Sequence, residues 1–135
     1  MTNPHPIAVI DGMLCRLSLR GNALAKHAPL ATAVMEFHHG SDRIYVREHP
    51  YGLLPGVTNL YSVDSDFRLL WLAEWPASEP PCAKIVAETA AELVVESLTG
   101  STLRFDVTDG RLLSCTAGAK PSAVASPEGQ PANAR

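Results

Sequence analysis

The chain has 135 residues, of which 46% are hydrophobic and 19% charged, and its net charge is −3. This length suits one domain with its own core, and the acidic balance argues against a nucleic-acid partner. No run of about 18 apolar residues occurs, so the sequence predicts no membrane partner or span. Because the N-terminus lacks a secretory pattern and the three cysteines are widely spaced, we expect reduced thiols and a cytoplasmic location.

The N-terminal part predicts a β-hairpin after a loose lead-in over residues 1–6. Ile7–Ile10 is a short apolar run, and Asp11-Gly12 is a hairpin turn signal. Apolar and polar residues then alternate from Met13 to Arg20, which indicates a half-buried strand.

The segment Gly21–Thr32 is open to two interpretations. Asn22 can cap a short helix that Pro29 would end. The glycine, the proline and the many alanines are equally typical of a loop.

Ala33–His38 and Arg43–Glu48 predict the next hairpin. One register satisfies the alternation on both strands, pairing residue 37 with 44 and residue 35 with 46. It places four apolar side chains on the core face: Met35, Phe37, Ile44 and Val46. The opposite, exposed face then carries a cationic and aromatic stripe: Arg43, Tyr45 and Arg47. This stripe is either an ordinary solvated face or a contact with a protein or an anionic ligand, since its residue types are enriched at interface hot spots.

The segment His49–Thr58 holds two prolines and two glycines and predicts a loop. It is unusually apolar for a loop, with side chains that can cover a core opening or present a contact surface: Tyr51, Leu53, Leu54 and Val57.

A strand–turn–strand unit is written twice, once in Asn59–Trp71 and once in Thr102–Leu113. Each copy runs from a strand to an aspartate, Asp64 or Asp106, and through a tight turn to Arg-Leu-Leu. The carboxylate can accept hydrogen bonds from N–H groups further round the turn. Gly110 can supply a positive φ in the second copy, whereas the first copy is one residue shorter and has Phe67 at that place, so we expect a different turn geometry there.

At these residues the chain resembles the blade repeat of quinoprotein-type (PQQ-like) β-propellers, whose pattern is Ala-x-Asp-x-x-Thr-Gly-x-x-x-Trp. The first copy offers four matching places: Ser62, Val63, Asp64 and Trp71. The second offers Asp106, Asp109 and Gly110, with Ser114 at the tryptophan place. The resemblance implies antiparallel hairpins of the blade type. It implies neither a closed propeller, which needs about four or more blades, nor a quinone, because no cofactor-binding set can be carried over.

The remaining segments complete a mainly β domain over residues 7–115, with about eight to ten short antiparallel strands closing as blade-like hairpins or a small sandwich or barrel. The middle of the segment Phe67–Trp75 is apolar on both faces, which predicts a central strand with Trp71 in the core. Ala83–Glu88 and Glu92–Leu98 predict two more strands. Residues 116–135 are rich in Ala, Pro, Ser and Gly and predict a disordered tail.

Histidines and one carboxylate form the densest set of ligand-type residues: His38, His39, Asp42 and His49. Imidazole and carboxylate can complete a metal site, but adjacent strand residues point to opposite faces. A polar hairpin tip is therefore the preferred interpretation, and we expect no metal and no cofactor.

Two function classes follow from these residues. The first is a small non-enzymatic β-repeat module that binds a protein partner, or a second copy, through Arg43, Tyr45 and Arg47 and the loop with Tyr51, Leu53 and Leu54. The alternative is a metal-dependent or small-molecule enzyme centred on His38, His39 and His49. No nucleophile, phosphate-loop or dinucleotide motif supports the second class.

Overall fold

The structure, a computed structural model, describes residues 5–118. These residues form eleven β-strands and no helix, which confirms the mainly β fold class and gives more strands than expected. The strands are β1 Ile7–Ile10, β2 Met13–Leu17, β3 Ala23–His27, β4 Val34–His39, β5 Ile44–Glu48, β6 Leu60–Val63, β7 Leu69–Leu72, β8 Cys82–Glu88, β9 Glu92–Ser97, β10 Thr102–Asp106 and β11 Leu112–Thr116.

The strands make three small antiparallel sheets in chain order. Sheet 1 contains β1-β2-β3, sheet 2 contains β4-β5-β6-β7 and sheet 3 contains β8-β9-β10-β11. Within each sheet, every strand pairs with the next strand in the sequence. Short turns make these connections except between β5 and β6, which the longer segment 49–59 joins. Within residues 5–118 the three sheets form an open stack, and none closes into a propeller.

Sheet 2 lies in the middle of the stack, because its two faces belong to two different cores. One core joins it to sheet 1 and buries Leu14, Val34, Ile44, Val46, Tyr61 and Val63. The other joins it to sheet 3 and buries Tyr45, Leu60, Trp71, Ala73, Trp75, Cys82, Leu93, Val95, Leu103 and Phe105. Asn59 ties sheets 2 and 3 together, since its amide donates to the carbonyls of Glu48 (2.7 Å) and Cys82 (3.0 Å) and accepts from Cys82 N–H (2.8 Å).

The segment Gly21–Thr32 is neither a helix nor only a loop, because Ala23–His27 forms β3 against β2. Pairing with an existing strand overrides the weak local preference of an alanine-rich segment. A β-bulge between Arg16 and Leu17 accommodates the irregular register between β2 and β3.

The hairpin of β4 and β5 forms as predicted, but its register is shifted by two residues. Phe37 lies opposite Val46 and His39 opposite Ile44, so that β4 extends one residue further than expected. A bulge between Val34 and Glu36 turns Met35 to solvent, where it is 49% exposed, and buries Val34 in its place.

The two copies of the sequence repeat are the last hairpins of sheets 2 and 3. The carboxylate of Asp64 accepts from the N–H groups of Asp66 and Arg68, and that of Asp106 accepts from Thr108. These bonds confirm the role predicted for the aspartates.

The two turns differ in their hydrogen bonding, as the sequence predicts: Phe67 N–H donates to the Asp64 carbonyl three residues back, whereas Gly110 N–H donates to the Asp106 carbonyl four residues back. Phe67 adopts φ +65°, close to the +77° of Gly110, although a side chain is rarely found in this region. Its ring packs on the core between sheets 1 and 2, and the Arg16 guanidinium lies 5.2 Å from its centroid. This packing stabilises a backbone conformation that glycine adopts more easily.

Trp71 is 7% exposed, which confirms its core position. Its strand is not central, however, because β7 is an outer edge of sheet 2. Leu69, Leu70 and Leu72 are each 43–50% exposed, since the edge strand has a neighbour on one side only.

The predicted domain limits fall near the ends of the described region. Residues 1–4 of the lead-in and residues 119–135 of the tail lie outside the described residues. Thr116, predicted as the first tail residue, is the last residue of β11. In residues 5–118 no helix is long and apolar enough to cross a membrane.

Candidate functional site

The loop of residues 49–58 carries the most exposed large apolar side chains near a depression in the surface. Tyr51 is 82% exposed and Leu54 72%, whereas Leu53 is half-buried. Isolated exposed apolar residues are ordinary, but several on one loop mark a contact surface. The structure thus presents to solvent three of the four apolar loop side chains that the sequence singled out, Tyr51, Leu54 and Val57.

Local hydrogen bonds give this loop a defined shape. The Tyr51 N–H donates to His49 Nδ1 (2.9 Å), and the two rings meet edge to face at 6.2 Å. Leu53 N–H donates to the Pro50 carbonyl (3.1 Å), and Val57 N–H donates to the Leu54 carbonyl (3.2 Å). The turns therefore hold the tyrosine and leucine outward on a constrained backbone.

An open depression of about 430 Å³ lies beside the loop. It is lined by Thr32, Ala33, His49 and Tyr51 and is mostly apolar. Hydrogen bonds join the two lining segments, from Thr32 Oγ1 to the His49 carbonyl (2.6 Å) and from His49 N–H to the Ala33 carbonyl (2.7 Å). The volume lies in the range of ligand-sized pockets.

Glu48 is 1% exposed and holds in place the segment of residues 30–32, which ends at the depression. Its carboxylate accepts from three successive backbone N–H groups, those of Leu30 (2.6 Å), Ala31 (2.9 Å) and Thr32 (3.0 Å), and from Tyr61 Oη (2.6 Å). Burial alone raises the pKa of the carboxyl, but these hydrogen bonds outweigh it and hold the pKa below its usual value. A buried charge thus holds residues 30–32 against the sheet.

The support continues to sheet 1 through Tyr61. Since the Tyr61 hydroxyl donates its proton to Glu48, His27 Nε2 donates to the Tyr61 oxygen, at 2.7 Å. Burial raises the pKa of Tyr61 and lowers that of His27, although Glu48 opposes the latter shift. Both rings therefore stay in their ordinary neutral forms near neutral pH.

The prediction that Arg43, Tyr45 and Arg47 form an exposed stripe is wrong, because the face that carries them lies between sheets 2 and 3. Tyr45 is 1% exposed and belongs to the core with Trp71. Arg43 and Arg47 are half-buried, with side chains 19% and 12% exposed. The sequence indicated one buried face for this hairpin, but sheet 3 covers the second one.

Each member of the stripe has a partner inside the stack. Arg43 Nη1 donates to the Val107 carbonyl (2.5 Å), Tyr45 Oη donates to Glu88 (2.8 Å) and Arg47 Nε pairs with Glu36 (2.5 Å). Burial and the bond to Glu88 raise the pKa of Tyr45. Arg43 and Tyr45 thus join sheet 2 to sheet 3, whereas Arg47 and Glu36 both belong to sheet 2, so the structure gives these side chains a role in packing.

The four ligand-type residues do not converge. His38 Nε2 lies 3.2 Å from Glu88, His39 is exposed on the opposite face, and Asp42 pairs with Arg43. His49 lies at the other end of the β4–β5 hairpin, beside Tyr51. Within residues 5–118 no three His, Cys, Asp or Glu side chains group as metal ligands.

Two carboxylates that organise the stack, Glu48 and Glu88, escaped the sequence reasoning. Each is the last residue of a strand, where a polar residue is ordinary and does not indicate a buried partner. The only available signal was that Glu48 directly precedes the apolar loop. Their roles depend on partners 13 and 43 residues away in the chain, Tyr61 for Glu48 and Tyr45 for Glu88.

No family model and no curated protein matches this chain. Among solved structures, the chain is similar to the computationally designed Ika8 protein, with 16% sequence identity and a TM-score of 0.68. The match covers 93% of this chain and 37% of the designed one. The chain therefore spans just over a third of the structure it matches, and the likeness concerns the fold alone.

Proposed function

We propose that this chain is a non-enzymatic β-repeat module that binds a protein partner through the loop of residues 49–58. The observation that carries the proposal is the exposure of Tyr51 and Leu54, 82% and 72%, on a constrained backbone beside an apolar depression. Tyrosine contributes a large, rigid contact area at low entropic cost, and interface cores are enriched in aromatic residues.

The partner is a polypeptide segment that inserts an aliphatic or aromatic side chain into the depression. The lining by Ala33, Thr32 and two rings offers apolar contact with few polar atoms. Exposed Leu54 extends the contact beyond the depression. Removing these apolar groups from water on binding supplies the favourable free energy.

The same proposal includes blade-like character for the two repeat hairpins. Their place as the last two strands of four-stranded antiparallel sheets supports the resemblance to propeller blades. The separation of His38, His39 and His49 speaks against the alternative enzyme, which needs them at one point.

A selection from a displayed peptide library tests the proposed site. Peptides selected on the full chain are expected to lose affinity by roughly 30-fold or more for Tyr51→Ala, the effect of a hot-spot residue. Leu54→Ala gives a smaller loss. The matched control is Val86→Ala, a 48% exposed apolar residue in sheet 3, which retains full affinity.

Two results of this experiment would contradict the proposal. If selected peptides bind the Tyr51→Ala and Leu54→Ala variants as well as the wild type, the loop is not the binding surface. A selection that enriches no apolar-anchored peptide also contradicts the proposal. Unchanged melting curves for both variants separate binding from folding.

A further inference from the structure

His49 is held in a defined position at the edge of the depression. It directly follows β5 and lines the depression together with Thr32, Ala33 and Tyr51. Its N–H donates to the Ala33 carbonyl (2.7 Å), and its carbonyl accepts from Thr32 Oγ1 (2.6 Å). Because both backbone groups are bonded, the side chain starts from a fixed point beside the apolar lining.

The ring of His49 is held in one tautomer. The Tyr51 N–H donates to Nδ1 at 2.9 Å, and a backbone N–H can only donate, so Nδ1 is the nitrogen without a proton. The proton of the neutral imidazole then lies on Nε2. The Tyr51 ring packs edge to face against the His49 ring at 6.2 Å and restricts its rotation. His49 thus offers one hydrogen-bond donor, the Nε2–H group.

This donor is available to a partner. Within residues 5–118 the side chain of His49 bonds through Nδ1, and no hydrogen bond engages Nε2. The hydroxyl proton of Thr32 is already donated to the His49 carbonyl. The Tyr51 hydroxyl lies at the end of a side chain that is 82% exposed. His49 is therefore the lining residue that combines a fixed backbone with an unused donor.

The charges around the depression favour a neutral acceptor. Among the described residues, none of those that line it is Lys or Arg. The buried carboxylate of Glu48 accepts from the Thr32 N–H at 3.0 Å, so a negative charge lies directly behind one lining residue. A ligand carboxylate would approach this charge with no cation to balance it. A carbonyl oxygen accepts the same hydrogen bond without bringing a second charge out of water.

We infer that His49 sets the specificity of the binding site by donating from Nε2 to an amide carbonyl of the bound polypeptide, next to the side chain that enters the depression. This inference rests on the proposed function, because it takes the loop of residues 49–58 as the binding surface. The carbonyl belongs either to the peptide backbone or to an Asn or Gln side chain, which present the same acceptor. A bound apolar side chain excludes water from this hydrogen bond, so loss of the donor leaves the carbonyl unpaired.

The variant His49→Asn removes the donor and keeps the acceptor. The Asn Oδ1 is bonded to Cγ as Nδ1 is, so it can accept from the Tyr51 N–H, and nothing replaces Nε2. Peptides selected on the full wild-type chain are expected to bind this variant about tenfold more weakly, with the melting curve unchanged. His39→Asn, the same change at an exposed histidine on β4, is the control and should retain full affinity.

A scan of a selected peptide identifies the acceptor. Each backbone amide is replaced in turn by a thioamide, whose sulfur is the weaker acceptor, and each Asn or Gln by Ala. One of these changes is expected to weaken binding to the wild type about tenfold and to have no further effect on His49→Asn, because both changes remove the same hydrogen bond. Its position tells a backbone carbonyl from a side-chain amide. Coupling of His49 to a peptide carboxylate would overturn the inference.

Two further results separate this inference from the proposed function. Peptides that need Tyr51 but bind His49→Asn at full strength would overturn the inference and leave the proposed function standing, whereas peptides that bind Tyr51→Ala and His49→Asn equally well would contradict both. Nitrogen NMR of the imidazole ring in the full chain is expected to show the Nε2–H tautomer of His49. A ring that carries its proton on Nδ1 would overturn the inference without any peptide.

Discussion

Replacing Glu48 by glutamine tests whether a buried carboxylate holds the wall of the candidate site. Oε2 of Glu48 accepts from Leu30 N–H and Tyr61 Oη, while Oε1 accepts from two further N–H groups. In Glu48→Gln an NH₂ group replaces one oxygen, so two donors face a donor. Each charge-assisted hydrogen bond contributes about 1.5–3 kcal/mol to the free energy of unfolding, so the loss of two removes about 3–6 kcal/mol. A neutral amide costs less to bury than a carboxylate, so we expect the net loss at the lower end, about 3 kcal/mol.

Urea unfolding followed by tryptophan fluorescence measures this loss, because Trp71 and Trp75 are buried. Glu96→Gln is the control; its side chain is 38% exposed and pairs with Lys84, so a change below about 0.5 kcal/mol is expected. A Glu48→Gln variant that matches the wild type within that margin at pH 7 would refute the reasoning.

The same carboxylate predicts a pH dependence. The folded-state pKa of Glu48 is lowered, so its contribution is fully present above the unfolded-state pKa of about 4.3 and is lost as the pH falls through the lower folded-state pKa. The stability difference between the wild type and Glu48→Gln should therefore shrink over this acid range. A difference that stays constant down to the lowest pH would contradict the assigned charge.

Other substitutions and a labelling experiment test the core. Trp71→Ala is expected to cost about 3–5 kcal/mol, whereas Leu72→Ala, 50% exposed on the same strand, should cost far less; equal losses would place Trp71 at the surface. Gly110→Ala should cost roughly 1–3 kcal/mol, because φ is +77° and the new Cβ would lie 2.5 Å from the Trp71 ring; an unchanged melting temperature would contradict this packing. A thiol reagent should modify exposed Cys115 in the native protein and leave Cys82 unmodified, since burial raises the pKa of Cys82 to about 12; mass spectrometry decides.

Short-range patterns carried most of the fold prediction. The repeated turn aspartates, Asp64 and Asp106, identified both hairpins, because a carboxylate that accepts from its own turn needs no distant partner. Trp71 was placed in the core correctly for a similar reason, since its alternation with neighbours selects one face. Composition also identified the apolar loop around Tyr51, but it left open whether the loop covers a core opening or faces solvent, as Tyr51 does.

Predictions failed where a feature depends on a segment distant in sequence. Met35 was assigned to the core because the bulge beside it leaves no local signal. The stripe at Arg43, Tyr45 and Arg47 was assigned to solvent because alternation identifies two faces of a strand but not how many are covered. Likewise β3 formed from a segment with no strand pattern because β2 offered it a partner.

The sequence by itself determined the turns, the order of the hairpins and every strand except β3, since these depend on contacts within a few residues. Only the tertiary structure decided that sheet 2 is covered on both faces, that Tyr45 is buried against Glu88, and that Glu48 supports the depression beside Tyr51. Such outcomes depend on which sheet packs on which face. That choice is set by the summed burial of side chains from separate segments, which no local pattern records.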